Sequence, residues 1–250
     1  MPEASAISRY VLGGSSLLAL RKTDFIFAGY YRSGTTWTRI VLANLISLNE
    51  LGGRDVDEIL NDVMPELGVN SLFRPWSHPT TPRVIKTHRR YSPLFRRARS
   101  FGVIRDPRDV MVSRYHKRRD RWGDFASSFG EFIRHPRFGL EDWWGHYLSW
   151  REHWVLTLKY EDLLEDPHRE FGRLVDALGV VCPDEMLSEA IERSSFRSLQ
   201  LAERQRKPSV SEGALHFRSG SSGQWETYFD DDDLAYYREL AAKYDVGIYP

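Results

Sequence analysis

One short stretch limits the fold more than any other part of this chain. Asp24-Phe25-Ile26-Phe27-Ala28 is an apolar run too short for a helix, and it ends at a glycine. A loop bounded by Gly29 and Gly34 follows. Apolar residues then recur at Trp37, Ile40, Val41, Leu45, Ile46 and Leu48, the spacing of a helix face. Strand, loop and helix make a first unit, and the rest of the chain repeats the theme. Short strands are expected at 83–87, after a loop punctuated by Pro75, Pro79 and Pro82, at 100–104 and at 154–159. Asp106 and Pro107 suit the cap and first turn of a helix carrying Val110, Met111, Val112, Ser113 and Tyr115. Further helices are expected around 167–178 and 183–193. A last one is expected at 231–243, with the aspartates 230–233 at its N-terminus, where the helix dipole favours negative charge. Strands alternating with helices predict an α/β fold with a central parallel sheet flanked by helices. No repeat or linker divides the 250 residues, so 1–250 reads as a single domain.

Composition supplies the core and excludes some partners. Hydrophobic residues make up 41% and charged residues 28%, enough apolar material for a domain of this size. The net charge of zero points to neither a nucleic-acid nor a membrane partner. No stretch of about 18 apolar residues occurs to span a bilayer, and the start of the chain lacks the basic region of a secretory leader. Cys182 is the single cysteine, which rules out an internal disulfide and suits a reducing compartment, so a cytoplasmic location is expected. The charges are unevenly placed: between Arg83 and Arg121 there are fourteen Lys and Arg but only Asp106, Asp109 and Asp120 as acids. A solvated basic face and an anion site are both open readings of that run. Residues 204–223 are polar and glycine-rich and read as a long loop of the kind that often forms a lid.

Three constellations carry chemistry. Between the first strand and its helix stands Tyr30-Tyr31-Arg32-Ser33-Gly34-Thr35-Thr36-Trp37. A loop there aims backbone N–H groups and the positive helix end at one point, where Ser33, Thr35, Thr36 and Arg32 add donors. A turn whose hydroxyls merely cap the helix is the plainer alternative. Gly29 and Gly34 have the spacing of a nucleotide P-loop, but Thr35 stands where its Lys belongs. That weighs against a magnesium-triphosphate enzyme such as a P-loop kinase. In the second constellation Arg105 ends a strand, and Ser113 lies about two helical turns later, so both can face one phosphate. The third is Lys86-Thr87-His88 at the carboxyl end of a strand, where ligands of parallel sheets bind and where a His can serve as general base. No convincing metal-ligand cluster is present, and no metal is expected.

Together these elements resemble the sulfotransferases that use 3′-phosphoadenosine-5′-phosphosulfate (PAPS), of the cytosolic, small-acceptor type. The resemblance runs from about residue 24 to 229, in motif, order and spacing. The family pattern reads Y-P-K-S-G-T-T-W, K-T-H, R-x-P-x-D-V-x-V-S and R-K-G-x-x-G-x-W. Here these stand as residues 30–37, 86–88, 105–113 and 218–225. The resemblance implies that Arg32, Ser33, Gly34, Thr35 and Thr36 hold the 5′-phosphosulfate and that Trp37 stacks on adenine. It implies Arg105 and Ser113 at the 3′-phosphate, joined by Arg218, Ser219 and Gly220, and Tyr160, Ser194 and Phe196 at the adenine. It further implies PAPS as co-substrate, 3′,5′-adenosine bisphosphate (PAP) as product, and His88 as general base. Arg32 and Lys86 would stabilise the leaving phosphate, and Ser113 would link 3′-phosphate occupancy to the orientation of Arg32.

Three departures stand out. Arg32 replaces the usual Lys and Tyr31 the usual Pro, while Ser219 replaces a Lys. Arginine keeps the charge and binds phosphate in bidentate fashion but does not give up a proton. A nucleotide-binding protein without catalysis is the alternative that uses the same pocket. The acceptor, a small molecule or a saccharide, would be set by 50–82, 115–150 and the 204–223 loop. Phe125, Phe129, Phe132, Trp143, Trp144 and Tyr147 are candidates for an apolar acceptor cavity or for helical core. Arginines 114, 118, 119 and 121 are candidates to attract an anionic acceptor. The family's dimer-forming pattern is not matched after Trp225, so the oligomeric state stays open.

Overall fold

Phe25–Gly29 forms β1, buried at all five positions. In the computed structural model of the chain, which describes residues 16–206, 220–244 and 247–249, β1 lies between two parallel neighbours. They are β2 (Val84–Thr87), with Phe25 opposite Val84, and β3 (Arg99–Ile104), with Phe25 opposite Arg99. Beyond β3 lies β4 (Leu156–Lys159), also parallel, which gives the order β2-β1-β3-β4. A central strand covered on both faces explains the unbroken apolar run. Phe25 and Phe27 point to one face, into a cluster with Val41, Phe101, Leu158 and Phe171. Ile26 and Ala28 point to the other, with Ile85, Phe95 and Trp150. Phe27 and Phe101 are fully buried and stack with centroids 4.8 Å apart. Truncating either to Ala would cost about 3–5 kcal/mol.

Helices cover both faces. After β1 comes α1 (Thr35–Glu50), then α2 (Val56–Val63), capped by the Asp55 side chain. After β3 comes α3 (Pro107–His116), capped as expected by Asp106, whose carboxylate accepts from the Arg108 N–H. A π-helical turn, Lys117–Trp122, continues it. Next are α4 (Phe129–Ile133) and α5 (Leu140–Trp150). Past β4 the chain forms α6 (Tyr160–Glu165), α7 (Pro167–Leu178), α8 (Asp184–Arg193) and α9 (Phe196–Arg206), and α10 (Asp231–Tyr244) lies in the stretch 220–244. This is an α/β domain with a parallel four-stranded sheet flanked by helices.

Three expectations need adjustment. The last strand starts at Leu156, not Trp154, because Trp154 turns its indole over Gly102 of the neighbouring strand. Residues 204–206, read as loop, complete α9. Ser195 caps that helix by accepting from the Ser198 N–H, and Leu199 and Glu203, one turn apart, are buried. Of the rest of that 204–223 reading, 207–219 lies outside the described residues, Arg218 and Ser219 included. The aspartate run does more than face a dipole: Asp230 accepts from the Asp233 N–H, while Asp232 and Asp233 pair with Arg134 of the segment after α4. Among the described residues no helix is long and apolar enough to cross a membrane.

Candidate active site

Because all four strands are parallel, their carboxyl ends share one edge, and the strand order reverses there between β1 and β3. Such a switch point leaves a crevice. Each strand delivers one segment of the site to it: Tyr30 to Gly34 after β1, His88 after β2, Arg105 after β3 and Tyr160 after β4.

The loop after β1 is held in an unusual backbone shape. Arg32 has φ +69°, the only positive value among described non-glycine residues. Gly34 has φ +92°, and a Cβ there would lie 2.6 Å from the Tyr160 ring, so glycine is required twice over. Gly34 at the N-cap makes no side-chain cap to α1, and the helix start faces the cavity through Thr35, Thr36 and Trp37. Ser33 is fully buried and its Oγ finds no hydrogen-bond partner among the described residues.

Two arginines stand beside this loop. Arg32 Nε donates to Ser113 Oγ at 2.9 Å, which joins the loop to the middle of α3. Arg105 is almost buried and lies 4.6 Å above the Tyr160 ring. Its Nη2 donates to the Ser221 carbonyl at 2.9 Å and reaches Asp109 at 3.4 Å, whereas its Nε has no partner among the described residues. Asp109 carries a role that motif reading did not separate from the pattern around it. Only 1% exposed, it accepts from the Gly223 N–H at 2.8 Å and the Trp225 N–H at 3.1 Å. Arg108 adds a cation–π contact to Trp225 at 3.9 Å. The segment that begins after 219 is thereby tied to the start of α3.

Trp37 packs edge-on against Tyr160 and Phe171, and Phe196 opens α9 beside Gly220. Gly220 has φ +61°, and a Cβ on it would meet the Phe196 ring at 2.5 Å. Ser194 is brought near but does not line the cavity. It is fully buried; its hydroxyl donates to the Ala190 carbonyl at 2.7 Å and accepts from Asn44 at 2.9 Å.

His88 is arranged for proton transfer. Its Nδ1 lies 2.6 Å from the Gly29 carbonyl, which can only accept, so Nδ1 carries the hydrogen and Nε2 keeps its lone pair. Tyr31 stacks on the imidazole at 4.1 Å. Burial, then the charge on Lys86, hold the His88 pKa well below the usual histidine value, while the Gly29 bond opposes the shift. At neutral pH the ring is therefore uncharged.

Lys86 is nearly buried and donates to Glu66 Oε2 at 3.0 Å, with Arg39 3.8 Å away on the same oxygen. Burial lowers the Lys86 pKa and Glu66 works against it. Sequence reading missed Glu66. It reaches the site because residues 65–67 pair with Lys86: the Lys86 N–H donates to the Pro65 carbonyl, and the Leu67 N–H to the Lys86 carbonyl, each at 2.9 Å. Nothing local in Pro65-Glu66-Leu67 announces that pairing.

These groups enclose a cavity of about 320 Å³. Gly34, Thr35, Thr36, Trp37, Tyr160 and Phe196 wall it together with Arg32, Arg105, Ser113 and Gly220. The rest of its lining is Tyr31, Glu66, Lys86, His88, Lys117 and Trp122. Among the described residues, no group of three or more His, Cys, Asp and Glu gathers as a metal site. The aromatic candidates belong to the core: Phe132, Trp143, Trp144 and Tyr147 are buried in one cluster, and Phe125 and Phe129 pack on it. Of the basic candidates, Arg114 is buried beside Tyr30 and Asp142, Arg118 pairs with Asp124, and Arg119 pairs with Asp120.

Comparison with known proteins gives the same outline. A family model described as a sulfotransferase domain matches residues 22–243. Sulfotransferase 1B1 of the dog, Canis lupus familiaris, is 26% identical over 258 residues, covering 88% of this chain and 84% of that protein. Sulfotransferase 1E1 of the guinea pig, Cavia porcellus, is 27% identical over 238 residues, covering 84% and 78%. Among solved structures, retinol dehydratase in a complex with retinol and PAP superposes with a TM-score of 0.70 at 23% identity, covering 97% of this chain and 88% of that one. At these identities the structural likeness concerns the fold.

Proposed function

The chain belongs to the sulfotransferase family, and from that premise we propose that it moves a sulfuryl group from PAPS to a hydroxyl or amine acceptor, with His88 as general base and Arg32 at the leaving phosphate. The residues present suit an adenosine bisphosphate. Ser33 Oγ and Arg105 Nε are buried donors without partners among the described residues, which a phosphate at each end of the nucleotide would satisfy. Gly34 and Gly220 leave the space above Tyr160 and Phe196 that any side chain would fill. Arg32, Ser33, Gly34, Thr35 and Thr36 would hold the 5′ end, and Arg105 and Ser113 the 3′-phosphate, with Arg218, Ser219 and Gly220 beside them. Trp37, Tyr160 and Phe196 would contact the adenine. Ser194 would contribute by shaping that wall through Asn44.

When bound, PAPS supplies the sulfuryl group and carries away charge as PAP. The chain's part is to take one proton and to meet one growing charge. His88 Nε2 accepts the acceptor's proton, and the imidazolium that forms is steadied by the Nδ1–H bond to the Gly29 carbonyl. Arg32 would meet the negative charge growing on the leaving phosphate and stabilise it electrostatically; as a guanidinium it donates hydrogen bonds without giving up a proton. Ser113 accepts from Arg32 with its oxygen and has its own hydrogen to offer a phosphate, so occupancy at the 3′ site would set the aim of Arg32. The observation that carries the reading is the tautomer of His88 fixed by Gly29. Cys182 as the lone cysteine supports a cytoplasmic setting.

Titrating PAP into the protein in the presence of a chelator, followed by transfer of labelled sulfate from PAPS to an acceptor panel, tests this reading. Binding heat together with labelled product is the expected result. Absence of binding heat would remove the nucleotide from the proposal.

A further inference from the structure

One side of α3 carries three polar residues in step. Asp109, Ser113 and His116 stand four and then three residues apart, the spacing that puts side chains on one stripe of a helix. The first two serve the cavity. Asp109 holds the Gly223 and Trp225 N–H groups, and Ser113 accepts from Arg32. The third meets the same segment that Asp109 holds: His116 Nε2 lies 2.6 Å from the Tyr228 hydroxyl, and the two rings meet edge-on with centroids 5.3 Å apart.

On its other side His116 Nδ1 lies 2.7 Å from Asp120 Oδ2. A carboxylate only accepts, so Nδ1 donates there and the ring is turned with Nε2 toward Tyr228. Asp120 belongs to the π-helical turn Lys117–Trp122, whose Lys117 and Trp122 line the cavity. Turns of this kind are rare and concentrate at functional sites. His116 thus stands where α3 ends, the π-helical turn begins and the segment 220–229 crosses back. Tyr228 and Phe229 also pack on Phe129, at 5.6 and 5.2 Å between ring centroids. Apolar packing supplies area but little direction. A hydrogen bond has direction, and this one sets where the short turn Gln224–Thr227 sits over α3.

We infer that His116 is a positioning residue for the nucleotide: with Asp120 aiming its ring, it fastens Tyr228 to α3 about two turns beyond Asp109, and so holds the segment 220–229 against a bound adenosine bisphosphate. The inference rests on the sulfuryl-transfer reading above. His116 does not line the cavity; its effect passes through Gly220, which does, and through Ser221, whose carbonyl accepts from Arg105. A segment tied to α3 at Asp109 alone would pivot there and let PAP leave faster.

The test measures release of radiolabelled PAP from the loaded protein, chased with excess unlabelled PAP, and the unfolding temperature of the empty protein beside it. Tyr228→Phe keeps the ring on Phe129 and removes only the hydroxyl. It should speed release by about threefold to tenfold, the worth of one hydrogen bond. His116→Ala should do the same, and the double variant should add nothing to the larger single effect, because both changes break one contact. His116→Gln, whose amide nitrogen takes the place of Nε2, should restore most of the slow release. A merely structural His116 would lower the unfolding temperature and leave the release rate of the folded molecules as it was. Unchanged release in Tyr228→Phe, additive effects in the double variant, or a Gln variant no slower than the Ala variant would overturn the inference. Failure of the unaltered protein to bind PAP would instead overturn the reading beneath it.

Discussion

Around Tyr160 the cavity is walled by strand ends and helix starts, held by backbone shape: φ +92° at Gly34, φ +61° at Gly220, and an uncapped α1. Around Trp122 it is walled by side chains from a loop before β2 and a π-helical turn after α3, and those side chains reach into solvent. The first kind of wall has little freedom, because moving it breaks hydrogen bonds of the sheet edge and of α3. The second can change residue by residue without disturbing the fold. The contrast suits an enzyme that binds one invariant co-substrate and one acceptor of its own.

The largest effect should come where the two walls meet. His88→Ala is expected to lower kcat by about 10²–10⁴-fold, equivalent to roughly 3–5 kcal/mol of barrier. PAP should bind within twofold of the original Kd, since His88 bonds to Gly29 and not to the phosphate loop donors. Normal turnover in a sulfate-transfer assay would place the base elsewhere and blur the division. Next in size is Arg105→Ala. Removing one charge-assisted hydrogen bond at about 1.5–3 kcal/mol should weaken PAP by roughly 10–100-fold. Adenosine 5′-monophosphate, which lacks the 3′-phosphate, should be barely affected in the same titration. Equal weakening of both ligands would assign Arg105 a purely structural part.

Asp109→Asn probes whether the nucleotide wall depends on the tie between α3 and the Gly223–Trp225 backbone. An amide still has one accepting oxygen, but one of the two N–H groups loses its partner, at about 1–2 kcal/mol. The KM for PAPS should rise about tenfold with kcat within twofold. A fall in kcat at constant KM would contradict a positioning role. The smallest expected change is one of pH. A depressed His88 pKa means that the neutral base is lost only when pH falls through a value well below 6.5, so kcat/KM should stay flat from pH 8 down past 6.5. An acid limb centred at or above 6.5 would show that His88 does not govern that profile.

How much of this was legible in the sequence differs between the two walls for the same reason. Tyr30 to Trp37, Lys86 to His88 and Arg105 to Ser113 are contiguous segments, and each couples a strand end to the loop or helix after it. The positions of Arg32, Ser113, Arg105 and His88 could therefore be anticipated from local order. Asp109 sits within a recognisable motif, yet its bonds to Gly223 and Trp225 span more than a hundred residues and leave no local trace. Asn44 and Ser194 meet across 150 positions. Glu66 was invisible because its place depends on the 65–67 backbone pairing beside Lys86, and Trp122 because a π-helical turn sets its direction. The aromatic residues of α5 went to the core, where burial outweighs any use at the cavity.

From the sequence alone came the α/β class, the four parallel strands near their true limits, and the chemistry of the three motifs. Apolar periodicity and loop composition act over a few residues and can be read in order. Only the tertiary structure decided which carboxylate faces the base, which one anchors the closing segment, and which arginines are spent in ion pairs. Those outcomes depend on which buried charges find partners across the fold, and the cost of leaving a charge unpaired is settled in three dimensions.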